Sequence, residues 1–267
     1  MNKPNRYGVL YCAYNTEKYI IPSLTPWVNR KKSHDIIIAG VHGMFKEYHE
    51  SGYIDHDVET LNLLKAAPLD YLYIQNDYDK PEGQPFYELE HQVRNNGLAY
   101  LLANDCDYII LLDSDEIWTE VEIENLLEYI EKNKFITWFS VEYKNLTFTE
   151  ETYTKGFSPP RVFKVNSTKK LSGLYWDNDF DYNGISYKQL PNKKVPLHLA
   201  NPKHYTWLND HRSLDKIRYQ TIHFNNGAGC SFRWDDNFGG LGWNLDYFEK
   251  TKQPIPKLYN ILDKTAN

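Results

Sequence analysis

The amino-acid sequence predicts an α/β fold, with a central, mostly parallel sheet flanked by helices and an irregular, partly antiparallel C-terminal half. Up to about residue 134, short apolar runs alternate with segments of helical periodicity, which is the order of elements in a doubly wound sheet. The runs are apolar at nearly every position, as is typical of parallel strands that are buried on both faces. After residue 135 the runs shorten and alternate, and proline and glycine become frequent, which indicates antiparallel and irregular structure.

Each element is predicted from its own residues. In the first half, strands are expected at Tyr7–Tyr14, Asp35–Val41, Tyr71–Ile74 and Cys106–Leu112, and helices at about 16–27, 87–104 and 120–132. Asn15 and Thr16 favour a turn or a helix cap after the first strand. We expect Pro22 and Pro26 to limit the start and the end of the helix that follows. In the second half, strands are predicted within Phe135–Phe148 and at Arg161–Val165, and a helix from about Ser213 to Ile222.

The composition is that of a globular chain of 267 residues with a net charge of −6. No apolar run approaches the 20 or so residues of a transmembrane helix, and the first residues lack the apolar core of a signal peptide. Cys12, Cys106 and Cys230 lie far apart in the sequence, which argues against a disulfide scaffold or a cysteine-rich zinc site. We therefore expect a cytoplasmic protein.

The charge is distributed unevenly along the chain. Residues 1–160 contain 14 Lys and Arg against 26 Asp and Glu, whereas residues 161–218 contain 11 against 5. A basic segment in an otherwise acidic chain indicates an anionic partner on one face. Lysines that only solvate a loop-rich region would give the same count.

The main functional signal is the acidic turn that ends the fourth predicted strand. The apolar run Tyr108–Leu112 is followed directly by Asp113–Glu116, which includes Asp115. Ligands of open α/β sheets bind outside the carboxyl ends of the strands. Two carboxylates separated by one residue can hold Mg²⁺ or Mn²⁺ through oxygen and leave positions open for phosphate oxygens. An acidic cap for the helix at Glu120 is the alternative interpretation.

Several segments resemble glycosyltransferase family 2. Tyr14–Ile20 looks like the first βα turn of that family, and Val93–Ala99 followed by Asp107–Glu116 is similar to its central helix, strand and D-x-D motif. His204–Trp207 with Leu214–Ile217 resembles a His-containing C-terminal element of some relatives. The resemblance implies a GT-A fold, in which a Rossmann-like sheet binds a nucleoside diphosphate sugar.

The resemblance also implies an activity: metal-dependent transfer of a hexose or pentose from a nucleoside diphosphate sugar, UDP favoured, to an acceptor hydroxyl, with inversion. Asp115 would bind Mn²⁺ or Mg²⁺ directly, and Asp113 would contact the metal or the donor ribose. His204 would be a third metal ligand or a diphosphate contact. The remaining nucleotide-sugar contacts would come from Tyr14 beside the base and from Asn15, Arg94, Ser114 and Lys216, the last neutralising phosphate charge.

The resemblance divides the chain by role. Residues 1–134 would bind the donor, residues 135–224 would bind the acceptor and complete the metal site, and residues 225–267 would form a tail or flap. Attack by an acceptor hydroxyl needs a carboxylate base, and the segment Tyr175–Tyr182 offers three carboxylates. We favour Asp179, then Asp177, over Asp181, because inverting relatives place their base on the acceptor side after this region. An acidic surface loop is the alternative for this segment.

Other functions fit parts of the sequence. Many relatives have acidic residues after the second strand, where this chain has Val41–Met44, so the nucleotide is not identified by that pattern. The basic segment 161–218 could serve a DNA acceptor with a hydroxylated, flipped-out base, as in some phage-encoded glycosyltransferases, instead of a glycan or lipid-linked sugar. A non-catalytic carbohydrate- or nucleotide-binding module is a second alternative. A glycoside hydrolase is a third alternative, and such an enzyme would need neither nucleotide nor metal. A zinc site is not indicated, because the spacings between the histidines match no compact zinc pattern.

Overall fold

The computed structural model of the protein describes residues 4–43, 57–75, 86–165, 171–174, 180–182, 185–210, 212–214, 216–217, 230–235 and 240–262. The chain divides into two compact units. The first consists of Met1–Glu142 and Ser158–Pro202, and the second of Tyr143–Phe157 and Lys203–Asn267. The two units therefore interleave along the chain, whereas the segments predicted from the sequence follow one another.

The elements are numbered along the whole chain. The strands are β1 (Arg6–Ala13), β2 (Asp35–His42), β3 (Tyr71–Ile74), β4 (Tyr108–Asp113), β5 (Glu116–Ile117), β6 (Trp138–Ser140), β7 (Lys144–Phe148), β8 (Thr152–Thr154), β9 (Pro160–Lys164), β10 (Leu171–Leu174), β11 (Phe180–Tyr182), β12 (Ile185–Ser186), β13 (Asn192–Lys194), β14 (Lys203–Leu208), β15 (Phe232–Asp235), β16 (Gly240–Trp243) and β17 (Tyr259–Asn260). The helices are α1 (Glu17–Arg30), α2 (Asp57–Ala66), α3 (Phe86–Ala103), α4 (Glu120–Lys132) and α5 (Leu245–Thr251), with a 3₁₀ turn at Tyr187–Gln189.

A seven-stranded sheet forms the core of the first unit. Its strands lie in the order β13-β6-β9-β4-β1-β2-β3. The strands β1 to β4 run parallel to one another, and β9 runs antiparallel to both β4 and β6. The mostly parallel central sheet that the sequence predicts is therefore confirmed, with its antiparallel part supplied by the second half of the chain. Strands β10, β11 and β12 form a separate, small antiparallel sheet.

Helix α1 corrects one expectation, because both prolines lie inside it. The helix continues past Pro22 and Pro26 to Arg30 instead of ending near Trp27. Each proline removes one backbone hydrogen bond from the helix. The helix nevertheless buries one face, made of Tyr19, Ile20, Ser23, Leu24 and Trp27. Burial of this apolar face offsets the lost hydrogen bonds, so tertiary packing overrides the local signal.

Helix α4 matches its prediction and has a complete N-cap. The Thr119 hydroxyl accepts a hydrogen bond from the backbone N–H of Glu122, and the Glu122 carboxylate accepts one from the Thr119 N–H. This reciprocal arrangement satisfies two of the donors that a helix start leaves unpaired. The buried face of the helix consists of Ile123, Leu126, Leu127 and Ile130.

The second unit contains a smaller sheet and an aromatic cluster. In its sheet β17 pairs with β8, β8 with β7, and β7 with β14, the last pair being parallel. The hairpin of β15 and β16 supplies Phe232 and Trp243 to the cluster, where the Phe232 ring stacks on Trp207 at 4.1 Å between centroids. Backbone is helical at 212–214 and 216–217, which overlaps the start of the predicted helix. Among the described residues no helix combines the length and the apolarity that crossing a membrane requires.

Candidate functional site

The strands β1, β2 and β4 end together at one edge of the large sheet. Cys12 of β1 pairs with Asp113 of β4, and Ala13 of β1 pairs with His42 of β2. We call this end of the three strands the carboxyl edge. Because it collects the residues that follow three parallel strands, it is where ligands of such sheets bind. The first βα turn and the acidic turn after β4 therefore lie side by side.

The first βα turn is tied to the acidic turn by buried hydroxyl groups. Asn15 adopts a left-handed backbone with φ of 49°, a conformation that asparagine tolerates better than most residues. The hydroxyls of Thr16 and Ser114 lie 2.6 Å apart, and both residues are buried. The Thr16 N–H donates to the Thr60 hydroxyl at 2.9 Å. The predicted donor contact Ser114 thus also fixes the turn that carries Tyr14 and Asn15.

Tyr14 faces the end of β2. Its ring centroid lies 5.8 Å from that of His42, with the planes tilted by 37°. His42 occupies the segment where many relatives have acidic residues, and it is buried. An aromatic pair therefore stands at the place where the resemblance puts the base of the nucleotide.

The acidic turn contains carboxylates in three different environments. Asp113, the last residue of β4, has a partly exposed side chain, at 28%. Asp115 is 8% exposed as a residue, and Glu116 is fully buried at 0%. Burial raises the pKa of Tyr11 on β1, and the charges of Asp115 and Asp113 act in the same direction. Tyr11 therefore stays neutral, with its hydroxyl 2.6 Å from that of Ser23.

Two arginines bind the carboxylates of the acidic turn. Arg94 on α3 donates from Nη2 to Asp113 Oδ1 at 3.3 Å. Arg161 on β9 donates from Nη2 to Asp113 Oδ2 at 3.0 Å and from Nε to Glu116 Oε1 at 3.0 Å. The predicted residues Arg94 and Asp113 are therefore brought together.

Arg161 and Glu116 were missed as members of this site. The available signal is Arg161 itself, which directly precedes the apolar residues Val162 and Phe163 of its strand, since a buried arginine requires an anionic partner. The sequence does not say which carboxylate that partner is.

His204 and Lys216 belong to the second unit. The Nδ1 atom of His204 lies 2.9 Å from the Asn145 side-chain oxygen. Because an amide oxygen only accepts, Nδ1 donates in this contact. The Phe157 ring stacks on the imidazole at 5.0 Å. Lys216 donates to the Thr206 hydroxyl, and its Nζ lies 5.3 Å from the centroid of the Trp207 ring.

The family model described as glycosyl transferase family 2 matches residues 91–233, which is more than half of the chain. This chain belongs to glycosyl transferase family 2. The match includes Arg94 on α3, the acidic turn and Arg161, whereas the first βα turn and His42 lie outside the matched residues.

Three solved structures similar to this family 2 chain come from S. aureus TarS. The structure of TarS 1-349 has a TM-score of 0.37 and 14% identity, and covers 60% of this chain and 47% of that one. The structure of TarS has a TM-score of 0.38, 13% identity and coverages of 60% and 28%. TarS 1-349 in complex with UDP has a TM-score of 0.38, 14% identity and coverages of 60% and 46%. The chain spans less than half the length of each. No curated protein sequence matches it.

The predicted bases lie mostly outside the described residues. Asp177 and Asp179 fall in the part of the chain that the structure leaves undescribed, and Asp181 is described only as backbone in β11. Their assignment as candidate bases stays a prediction.

The acidic turn can be compared with what a divalent cation requires. Among the described residues no group of three or more His, Cys, Asp and Glu side chains could hold a metal ion. Mg²⁺ in nucleotide sites is held by one or two carboxylates, with the rest of its shell supplied by phosphate and water. Each oxygen of Asp113 is bonded to a guanidinium, and Asp115 lies two residues further along the same turn. The two aspartates of the acidic turn fit a site of this kind. The predicted ligand set of Asp113, Asp115 and His204 stays a prediction.

Proposed function

We propose that this chain transfers a sugar from a nucleoside diphosphate sugar, with UDP as the expected nucleotide, to a hydroxyl group of an acceptor. The transfer would proceed with inversion and with a bound Mn²⁺ or Mg²⁺. One observation carries the proposal: in a family 2 chain, the first βα turn, Arg94 and an acidic turn converge at the carboxyl edge of a parallel sheet. This is the place and the charge pattern that a phosphate-containing donor requires.

The residues at the carboxyl edge would divide the donor between them. Tyr14, beside His42, would flank the base. Arg94, whose side chain is only 14% exposed, would bind negative charge on the donor phosphates. Asp115, next to Asp113, would hold the divalent cation, which would act as a Lewis acid on the diphosphate leaving group.

The acceptor side of the reaction needs a general base. A carboxylate within hydrogen-bonding distance of the acceptor hydroxyl would remove its proton as the hydroxyl attacks the anomeric carbon. Asp179 is the first candidate and Asp177 the second. The basic segment 161–218 favours an acceptor that carries phosphate groups. A glycan, a lipid-linked sugar and a hydroxylated DNA base all remain acceptors to be tried in the assay below.

The donor site is tested by thermal unfolding with nucleoside diphosphates and nucleotide sugars, each with and without Mn²⁺. We expect the midpoint to rise with UDP and Mn²⁺ together, because a ligand that binds only the native state stabilises it, by about 2.7 kcal/mol at a hundredfold excess over Kd. The variant Asp115→Asn should lose this rise. Asp107→Asn is the matched control. Asp107 lies just before the first residue of β4, at the end opposite the acidic turn, and its side chain accepts a hydrogen bond from the Arg6 N–H at 2.8 Å.

The outcomes separate the alternatives. If no nucleotide shifts the midpoint of the folded protein in the presence or absence of Mn²⁺, the transferase proposal is wrong. If nucleotide binds but no labelled sugar is transferred to glycan, lipid-linked or DNA acceptors, a non-catalytic binding module is favoured. Transfer that survives in Asp179→Asn and in Asp177→Asn would contradict the assigned base.

A further inference from the structure

The acidic turn is joined to the interior of the first unit by a buried ion pair. The side chains of Arg161 and Glu116 are 2% and 0% exposed. The Nε and Nη2 atoms of Arg161 both donate to Oε1 of Glu116. Removing two charges from water is costly, so a pair of this kind is weak evidence for stability and needs another explanation.

The second contact of Arg161 supplies that explanation. Its Nη2 atom also donates to Asp113 Oδ2, while Arg94 donates to Asp113 Oδ1. The Asp113 carboxylate is therefore held on one oxygen by β9 and on the other by α3. Negative and positive groups alternate from the buried Glu116 through Arg161 and Asp113 to Arg94, which lies at the carboxyl edge.

The shape of the arginine side chain matters for this chain of contacts. A guanidinium is planar and presents its donors in fixed directions, so it can contact two carboxylates at once. A lysine at the same position would keep the charge, but it would be a single point charge on a flexible stem. Glu116, in turn, holds the guanidinium in place because it accepts from two of its nitrogens.

We propose that Arg161 is a positioning residue for the donor site, anchored by Glu116 and acting through Asp113 on Arg94. This inference rests on the proposed function, because the ligand that Arg94 would contact is the donor. In this arrangement Asp113 connects the buried pair to the site, and its charge is shared between two guanidiniums.

The test measures UDP binding in the presence of Mn²⁺ by titration calorimetry on the full chain. The key variant is Glu116→Gln with Arg161→Met, because it removes both buried charges together and strands neither, so the fold should survive. We expect its Kd for UDP to rise about tenfold, which is within the range of interaction energies measured between contacting residues. Arg161→Lys should show a similar rise despite its unchanged charge.

A double-mutant cycle separates positioning from stability. If Arg161 acts through Asp113, the change Arg161→Lys should weaken UDP binding in the wild-type chain but not further in Asp113→Asn. A role confined to stability would lower Tm in both backgrounds and leave the UDP Kd unchanged. Arg6→Met is the control, because Arg6 forms an ion pair with Asp35 at the first residues of β1 and β2, the opposite end of the same sheet.

The results that overturn the inference are distinct from those that overturn the function. A folded double variant that binds UDP with wild-type affinity would refute the positioning role, as would additive losses in the cycle. Wild-type protein that binds no nucleoside diphosphate would instead refute the proposed function, and the inference with it. An equal loss in Arg6→Met would show that charge, and not the contact with Asp113, sets the affinity.

Discussion

The two ends of the seven-stranded sheet differ in how deeply they bury an ion pair. At the carboxyl edge, the ion pair of Arg161 and Glu116 is 2% and 0% exposed. We call the other end the amino edge; it consists of the first residues of β1 and β2 and of Cys106 to Tyr108. There the side chains of the ion pair Arg6 and Asp35 are 29% and 36% exposed. Each pair joins an arginine to a carboxylate, and the two pairs differ in exposure and in the additional contact of Arg161 with Asp113.

The difference in exposure changes what each pair can do. An exposed pair is screened by water and contributes little to stability. A buried pair is costly to form, and breaking it on one side is strongly destabilising because a charge is left without its partner. The buried pair at the carboxyl edge therefore costs desolvation energy, and a role in binding would explain why it is present. The pair at the amino edge is an ordinary surface pair.

The largest expected effect is on stability at the carboxyl edge. Arg161→Met alone should lower the free energy of unfolding by about 3–5 kcal/mol, because Glu116 keeps its charge in a buried place. Urea unfolding followed by circular dichroism measures this loss. The double variant with Glu116→Gln should be much closer to wild type. If the single and double variants were equally unstable, the cost would come from lost packing and not from the stranded charge.

A smaller effect is expected where α3 lies against the sheet. A Cβ atom on Gly97 would lie 2.5 Å from Leu10 Cδ1 and 2.6 Å from Val41 Cγ1, in a closely packed part of the core. Overpacking of this kind costs about 1–3 kcal/mol, and the better helix propensity of alanine returns up to about 1 kcal/mol. We expect Gly97→Ala to be less stable by about 1–2 kcal/mol in urea unfolding. It should also weaken UDP binding, because Arg94 lies one helical turn away.

Gly8 near the amino edge provides the comparison for Gly97. A Cβ atom there would meet nothing closer than Cys106 Sγ at 3.0 Å. Gly8→Ala should therefore be milder and leave UDP binding unchanged. If Gly8→Ala weakened UDP binding as much as Gly97→Ala, the packing of α3 against the sheet would not be what positions Arg94.

A pH-dependent effect arises at the amino edge. Burial raises the pKa of Cys106 from 9.0 to about 12, against the opposing charge of Arg6. Burial also raises the pKa of Tyr108 from 10.0 to about 12. Because these folded-state values exceed the unfolded ones, the stabilisation is complete below about pH 9 and is lost as the pH rises toward 12. Urea unfolding at pH 8, 9, 10 and 11 should show this decline.

The variant Cys106→Ala identifies the thiol's share of the alkaline decline. It removes one of the two groups, so its stability should fall less steeply above pH 9 than that of the wild type. An unchanged slope would assign the decline to tyrosines alone, including Tyr7, whose pKa is also raised by burial and by its hydrogen bond to Glu131.

Local patterns were sufficient for the parallel part of the sheet and for helix α4. They were insufficient for α1, where burial of Tyr19, Leu24 and Trp27 overrides two prolines. Helix α2 lies in a segment for which the sequence analysis predicts no element, and its Val58 is 66% exposed. Helix α5 lies in a region whose glycines and large rings indicated a tail or flap.

The four parallel strands and the acidic turn that ends β4 follow from local sequence patterns alone. Both are local: an apolar run buried on both faces, and carboxylates that directly follow it, are visible in consecutive residues. Which charged residues contact one another depends instead on how the chain folds. Glu116 and Arg161 are 45 residues apart in the chain, and their contact depends on β9 lying antiparallel beside β4. The register of distant strands is set by packing and hydrogen bonding across the whole sheet, so no local pattern contains it.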